Sequence, residues 1–421
     1  MSAGWLLLGL LAIAFIGSNV ARGRRVPGFG LPSGSEWLLT GIAVGPQLFG
    51  LVHQKDLSQF GPVLVAGLGW LSMTVGMRFA VCLRPNLDEE APAPNRLLGV
   101  GALLALATAG LLAWLVYTLL GSFGPFEART RLGTACWIGF ALAGSARQLV
   151  DWAKERHGAR GPITDNIEAS IGGGEIIALS ATAPLGVLLF SEATEPRDMM
   201  WRAALPLVLG LLLGLITLWL LHFDIPGAET WGVLMGVLLL SVGLALRAGS
   251  SVIAAGFVLG WLLGRDARAG HQLRKLTHPT EGAVLLPLLV VAGASLHLSE
   301  LGRLGWVVGI VVGARFLAKL VLGRIARRAI AKGTTSSIPL GLSLASSGEI
   351  ACLIALEYTL STPGQLGQLA LACAVAASAF GELYGARGLR RLLVAADELG
   401  RDVSTVADKG HSVSPDVSGW L

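Results

Sequence analysis

Long apolar stretches, separated by short polar breaks, follow one another along most of the chain. Residues 97–120, 205–221 and 231–246 contain no charged side chain. A helix of about 20 such residues crosses the hydrocarbon core of a bilayer. The sequence lacks the ten-residue segments of alternating polarity that are typical of membrane β-strands. The pattern therefore predicts an all-α polytopic membrane protein, because helices satisfy their own backbone hydrogen bonds in lipid.

The polar breaks predict thirteen transmembrane helices, which we number as spans in chain order. Their approximate extents are 3–20, 36–53, 59–83, 97–120, 131–150, 166–190, 200–222, 230–246, 249–264, 282–298, 303–325, 336–360 and 364–386. The final residues, 392–421, are polar and too few for a regulatory domain, so we expect a short tail.

Composition supports this interpretation. Hydrophobic residues make up 53% of the chain and charged residues only 14%, whereas soluble domains usually carry about 25% charged residues. The four cysteines are scattered singly in apolar stretches and are expected to act as small hydrophobic residues. We find no HExxH, GxxxxGK[ST] or GxSxG motif, so the sequence favours a transporter over an enzyme and predicts no cofactor.

Lys and Arg residues are concentrated in alternate loops. By the positive-inside rule these loops face the cytoplasm, which places the N-terminus outside and the C-terminus inside. The net charge of +5 follows from these loops, so no nucleic-acid partner is expected. The basic residues of the predicted cytoplasmic loops are Arg22, Arg24, Arg25, Arg84, Arg96, Lys154, Arg156, Arg160, Arg265, Arg268, Arg274, Lys275, Arg324, Arg327, Arg328, Lys332, Arg387, Arg390 and Arg391.

Two carboxylates fall in the middle of predicted spans. Burying a charge at the bilayer centre costs at least about 2.5–3.5 kcal/mol, so such a residue indicates function. Glu175 follows three glycines in span six, where another backbone could approach closely. Glu349 follows Ser346-Ser347-Gly348 in span twelve, a stretch that is weak for a helix and could be unwound around a cavity. Each carboxylate is a candidate site for a cation or a proton, with structural burial as the alternative.

Basic side chains inside the spans have two interpretations. Arg315 and Lys319 lie four residues apart on span eleven, hence on one face, and are candidate partners of the buried carboxylates. Other charged residues lie near span ends, where we expect the side chains to reach the interface. These residues are Arg78, Arg147, Arg247, Glu357 and Glu382.

Seven segments match, in order, motifs of one transporter family. They are GFGLPSGSEWLLTGIAVGPQLFGLV, LSQFGPVLVAGLGWLSMTVGMRF, KERHGARGPITDNIEASIGGGEIIAL, LLPLLVVAGASLHLSEL, ARFLAKLVLGRIARR, SLASSGEIACLIAL and GELYGARGLRRLLVAADELG. On these motifs, about residues 3–392 resemble the cation:proton antiporter superfamily, in its bacterial second branch of sodium/proton and potassium/proton exchangers.

The resemblance implies a thirteen-helix inverted-repeat fold in the bacterial inner membrane, assembled as a homodimer. Two discontinuous helices would cross near the midplane, with breaks around 144–146 in span five and 346–348 in span twelve. A dimer-type bundle would comprise residues 1–83 and 230–298. A core bundle of residues 97–190 and 303–386 would slide against it as an elevator, with 200–222 as the linker helix and 1–391 as the whole transmembrane domain.

The resemblance also assigns site residues. Glu175 matches the family's ion-binding Asp, Lys319 matches its basic residue on span eleven, and Arg315 also matches. The full set implied for cation and proton binding is Glu175, Glu349, Ser145, Ser346 and Ser347, with Arg315 and Lys319 as charge partners. The sequence departs from the family at Gly174, where members usually carry Asp, Asn or Gln, and at Arg147, which replaces a small residue.

These features predict a secondary transporter that exchanges sodium or potassium for protons through Glu175. Two alternatives remain open. The missing polar side chain at Gly174 fits a transport-inactive relative that acts as a sensor or as a membrane subunit of a complex. The cluster of basic side chains, Arg78, Arg147, Arg315 and Lys319, fits a transporter of an anion.

Overall fold

A computed structural model describes most of the 421-residue chain. The described residues are 35–46, 48–50, 60–82, 94–123, 126–190, 196–222, 227–266, 269–331 and 338–399. Within these ranges all regular structure is helical.

The described residues form fifteen α-helices, numbered in chain order. They are α1 (Ser35–Val44), α2 (Gly61–Cys82), α3 (Pro94–Phe123), α4 (Ala128–Ala141), α5 (Gln148–His157), α6 (Pro162–Phe190), α7 (Pro196–Leu221), α8 (Gly227–Arg247), α9 (Val252–Arg265), α10 (Ala269–Ala294), α11 (Leu298–Leu301), α12 (Gly305–Ile330), α13 (Ile338–Ser343), α14 (Gly348–Ser361) and α15 (Gln365–Ala395). A short 3₁₀ turn, Gly302–Leu304, joins α11 to α12.

Spans two to thirteen each correspond to a helix or to a pair of helices, whereas the first predicted span, 3–20, lies outside the described residues. Helix boundaries differ where polar residues continue a helix beyond its apolar run. Helix α10 begins at Ala269 instead of residue 282, and α15 continues to Ala395 instead of ending at 386. Eight of the described helices are long and apolar enough to cross a membrane, and α9 is a shorter apolar helix.

The helices pack in two groups. In the first, α2 packs on α9, α9 on α7, and α10 on α1. In the second, α3 packs on α4 and α6, while α12, α13 and α14 pack around α15 and α3. The groups meet where α6 contacts α9 and where α14 contacts α2 and α10. The division of the chain into a dimer-type bundle and a moving core bundle stays a prediction.

Large apolar side chains cover the outer faces of several long helices. Exposed residues include Leu103 and Trp114 on α3, Trp219 on α7, and Leu317 and Val321 on α12. Water would solvate such side chains poorly, and large exposed apolar residues in this number mark an interaction surface. Together with the eight long apolar helices, this surface identifies a multi-pass membrane protein.

Candidate ion-binding site

Two helices of the second group are interrupted, and their interruptions touch. Residues 142–147 separate α4 from α5, and residues 344–347 separate α13 from α14. The backbone N–H of Ala146 donates to the carbonyl of Ser346 at 2.8 Å. The Ser145 hydroxyl donates to the carbonyl of Leu344 at 2.9 Å. These bonds replace part of the helical pattern that both segments lose.

Glycine at position 348 permits this close approach. Gly348 has φ +67°, a conformation that residues with a Cβ adopt rarely. A Cβ added there would lie 2.8 Å from the Cβ of Ala146. The second interruption can therefore lie against the first only because residue 348 has no side chain.

Two basic side chains of α12 bind the carbonyls that the interruptions leave open. Arg315 donates from Nε to Leu142 O at 2.8 Å and from Nη2 to Gly144 O at 2.9 Å, and its Nη1 donates to Ala345 O. Lys319 Nζ donates to the carbonyl of Ala143 at 2.7 Å and to Ser145 Oγ at 3.2 Å. A cation at carbonyl ends is favourable, because these ends carry partial negative charge.

Glu175 lies on α6 with only 4% of its side chain exposed. Its carboxylate is 3.6 Å from Arg147 Nη1 and 3.9 Å from Arg78 Nη2. Both distances exceed the usual length of a hydrogen bond. Within the described residues the two guanidinium groups are the charge partners of Glu175, and no hydrogen bond to its oxygens is found there.

Glu349 is the second carboxylate of the site, with 12% of its side chain exposed. It lies in the first turn of α14, directly after the second interruption. Gln148, the first residue of α5, donates from Nε2 to its carboxylate, and Arg78 Nη2 is 3.9 Å away. Arg78 of α2 thus lies between Glu175 and Glu349 and links the two helix groups.

A row of alternating charges leads from this cluster toward the surface. Arg147 pairs with Glu168 as well as with Glu175. Glu168 pairs in turn with Lys154, which is 3.8 Å from Asp165. Exposure of the side chains rises along the row, from 5% at Arg147 to 73% at Asp165. The buried carboxylates are therefore connected to solvent by paired groups of opposite sign.

Glycines bring the backbone of α3 against α6 beside Glu175. A Cβ at Gly173 would lie 2.1 Å from the carbonyl oxygen of Leu98, and one at Gly101 would lie 1.8 Å from that of Ser170. This confirms the predicted close approach at the glycine run. Gly174 differs from Gly173, because its nearest neighbour, Ala105 Cβ, would be at an ordinary 3.6 Å.

A small cavity lies where a side chain at position 174 would begin. Its volume is about 10 Å³, close to the space that one water centre needs. It is lined by Gly174, Ser170, Ser145 and Lys319 together with apolar side chains. The missing polar side chain at position 174 thus leaves a space beside the first interruption.

Comparisons with known proteins identify the fold but not a family. No family model matches the chain, and no curated protein matches it. The sodium proton antiporter MjNhaP1 from Methanocaldococcus jannaschii, in its structure at pH 8, aligns with a TM-score of 0.65 and 17% identity, covering 94% of this chain and 98% of that one. The electron-microscopy structure of the same antiporter aligns with a TM-score of 0.63 and 16% identity, covering 94% and 97%.

The chain has the fold of a sodium/proton antiporter. This confirms an antiporter-type fold, as the resemblance to cation:proton antiporters implied, whereas the count of thirteen spans and the inverted repeat stay predictions. Both predicted interruptions lie within this antiporter fold at the expected residues. That they cross near the midplane of a bilayer stays a prediction.

The antiporter fold brings some of the predicted site residues together and separates others. Ser145 bonds to Lys319 at the first interruption, and Arg78 links Glu175 to Glu349. Ser347 instead faces α15, where its hydroxyl is 3.0 Å from that of Ser378. The buried hydroxyl of Ser346 has no hydrogen-bond partner within the described part of the chain.

The pairing expected between Arg315 or Lys319 and the buried carboxylates is not found among the described residues. Both side chains bind carbonyls of the interruptions instead. The open carbonyls lie directly opposite α12, and an unpaired buried carbonyl is costly. The charge partners of Glu175 are instead Arg78 and Arg147. Their positions near the ends of predicted spans did not indicate this pairing.

Several residues expected at the membrane interface are buried or nearly buried instead. Arg78 and Arg147 point into the protein and pair with carboxylates. Glu357 caps the start of α9, where it accepts hydrogen bonds from Val252 N at 2.7 Å and from Ser251 Oγ at 3.1 Å. Glu382 is also buried, whereas Arg247 is exposed as expected. Sequence reasoning missed Glu168 altogether, because it lies in the polar first third of α6.

Proposed function

We propose that this protein exchanges a monovalent cation, sodium or potassium, for protons, and that Glu175 is the carboxylate that binds them. One observation carries the proposal: in an antiporter fold, Glu175 is buried beside the interruptions with its two guanidinium partners beyond hydrogen-bond distance. Glu357, in contrast, is held by short hydrogen bonds to the start of α9. The oxygens of Glu175 are therefore the more available of the two for an incoming ion.

The neighbouring side chains make this exchange electrostatically feasible. A proton or a cation on Glu175 cancels the attraction that holds Arg147 and Arg78 near it. Leaving a buried charge unpaired is costly, but Arg147 keeps Glu168 as a partner and Arg78 keeps Glu349. Glu175 can therefore change its charge without leaving an arginine unpaired.

A single carboxylate between two arginines favours exchange of one cation for one proton, which would be electroneutral. We propose that the second helix group, with the interruptions, moves against the first as an elevator within a homodimer. The proposed location is the bacterial inner membrane, with the N-terminus outside and the C-terminus in the cytoplasm.

The test is a transport assay in proteoliposomes with a pH-sensitive dye inside. We expect wild-type protein to move protons when sodium or potassium is added, and Glu175→Gln to abolish the movement. Glu357→Gln is the matched control, because it replaces an equally buried carboxylate that caps α9 outside the site. Undiminished exchange in Glu175→Gln would rule out this residue as the binding site.

A transport-inactive relative is the second candidate, and a specific observation favours it. Lys319 donates hydrogen bonds to the carbonyl of Ala143 and the hydroxyl of Ser145. These oxygens would otherwise be free to coordinate a transported cation. Gly174 adds no side-chain ligand. Absence of flux for sodium, potassium and lithium over a full pH series, in folded wild-type protein, would support this candidate over exchange.

An anion transporter is less well supported. Arg147 and Arg315 both point into the protein, but Arg147 faces carboxylates and Arg315 faces carbonyls. Arg78 and Lys319 likewise face oxygen atoms of the protein. The negative charge and carbonyl dipoles that surround these cations would repel an anion.

A further inference from the structure

The chain turns back directly after α15. The N–H of Glu398 donates to the carbonyl of Leu393 at 3.0 Å, the N–H of Asp397 donates to that of Val394 at 3.2 Å, and Asp397 has φ +56°. These two bonds and the left-handed residue form a Schellman motif. The turn directs Glu398 into the protein, where only 8% of the residue is exposed.

The Glu398 carboxylate caps the start of α6. It accepts hydrogen bonds from Ile163 N at 2.6 Å, from Thr164 N at 2.7 Å and from Thr164 Oγ1 at 2.7 Å. Its own carbonyl accepts a bond from Arg160 N at 3.1 Å. A negative charge is favourable there, since the first N–H groups of a helix have no partner within the helix.

Gly161 shows that this contact depends on a close fit. Its φ is +152°, which residues with a side chain adopt rarely. A Cβ added at Gly161 would lie 2.4 Å from Cδ of Glu398. A side chain at position 161 and the capping position of Glu398 therefore exclude each other.

The same two helices hold the two sides of the candidate site. Helix α15 packs against the second interruption: a Cβ at Gly381 would lie 2.6 Å from Ser346 Cα, and Ser378 Oγ donates to Gly348 O at 3.2 Å. Helix α6 carries Glu175, eleven residues after Thr164. Eleven residues of helix correspond to roughly 16 Å, so Glu398 does not reach Glu175 directly.

We propose that Glu398 is a positioning residue for Glu175. By fixing the start of α6 to the end of α15, it sets the position of Glu175 relative to the second interruption and Glu349. Its effect on transport rests on the proposed function, whereas its effect on α6 does not. We call this contact the clamp. It consists of four hydrogen bonds from Arg160, Ile163 and Thr164 to Glu398, which lies more than 230 residues away in the chain.

Three test variants and one control variant of the full-length protein, in lipid nanodiscs, test the clamp. Glu398→Gln removes the charge and one of the two acceptor oxygens, and Glu398→Asp keeps the charge on a shorter side chain. Asp397→Asn is the matched control, because Asp397 is an exposed neighbouring acid and Asn tolerates positive φ. Gly161→Ala displaces the carboxylate from the opposite side without changing Glu398.

The first measurement is amide hydrogen exchange in the first turn of α6. We expect Glu398→Gln and Gly161→Ala to speed exchange at Ile163 and Thr164 about tenfold, the fold-change for losing one charge-assisted hydrogen bond. Glu398→Asp should give a smaller change and Asp397→Asn none. Unchanged exchange in both Glu398→Gln and Gly161→Ala would show that no clamp exists.

The second measurement separates positioning from a merely structural role. A positioning residue should raise the apparent KM for the cation several-fold in Glu398→Gln, with partial recovery in Glu398→Asp. A structural residue would lower the amount of folded protein and leave KM unchanged, and this result would overturn the proposal.

The third measurement does not need transport. Glu398→Gln and Glu175→Gln are combined, and the shift in melting temperature is compared with the sum of the single shifts. Residues this far apart normally give additive effects, so a non-additive shift supports coupling through α6, and an additive one contradicts it. If the wild-type protein transports no cation, the proposed function fails, but this double-mutant cycle still shows whether the clamp couples Glu398 to Glu175.

Discussion

The two interruptions and the Glu175 cluster both contain positive charges inside the protein, but these charges pair with different kinds of oxygen atom. At the interruptions, Arg315 and Lys319 bind backbone carbonyls. In the cluster, Arg78 and Arg147 face the carboxylates of Glu175, Glu349 and Glu168. A carbonyl dipole is fixed, whereas a carboxylate loses its charge when it binds a proton. The interruptions therefore form a part of the site whose electrostatics are fixed, which we call the permanent part. The Glu175 cluster, in contrast, can change its charge.

The largest expected effect is at the permanent part. Arg315→Met leaves the carbonyls of Leu142, Gly144 and Ala345 without their donor. Each unsatisfied buried group costs about 1–3 kcal/mol, so we expect the free energy of unfolding to fall by about 5 kcal/mol. The measurement is the melting temperature of detergent-solubilised protein. Arg324→Met, at an exposed position of the same helix, is the control, and equal shifts in both variants would contradict the assigned role of Arg315.

A smaller effect that a second substitution can reverse is expected in the cluster. Arg147→Gln leaves Glu175 and Glu168 with less positive charge nearby. We expect this change to lower the free energy of unfolding by about 3 kcal/mol. Adding Glu175→Gln removes a carboxylate that has lost one of its two arginine partners, so it should restore part of the melting temperature. The same substitution added to Arg315→Met should restore nothing. Equal behaviour of the two pairs would remove the distinction between the regions.

The smallest effect is expected at the surface end of the charge row. Asp165 is 73% exposed and lies 3.8 Å from Lys154. Exposed ion pairs contribute at most about 1 kcal/mol, so Asp165→Asn should change the melting temperature little at low salt and not at all at high salt. A large shift would show that the row acts as a single unit from the surface to Glu175.

The membrane fold could be predicted from the sequence, because apolar runs determine which segments enter the bilayer. The polar half of α10 shows the limit of this reasoning. Residues 269–281 continue the helix, although their composition does not require insertion. The resemblance located both interruptions, and only the second was also indicated by the residues themselves, because Ser346-Ser347-Gly348 is weak for a helix.

The charge pairs could not be predicted from the sequence. Distance from a span end assigned Arg78 and Arg147 to the interface, but that distance carries no information about which way a side chain points. Arg78 and Glu349 are about 270 residues apart in the chain and meet only in the fold. Glu357 and Glu398 likewise cap helices far away in the sequence, and no local motif indicates such a cap.

The glycine contact between α3 and α6 has a consequence for motion in the bilayer. With Gly101 and Gly173 pressed against the opposite backbone, the two helices cannot slide past each other without separating. Any displacement of Glu175 must therefore carry α3 along, and α3 presents Leu103 and Trp114 on its outer face. In the proposed exchange, the viscosity and thickness of the surrounding lipid would then limit the turnover rate.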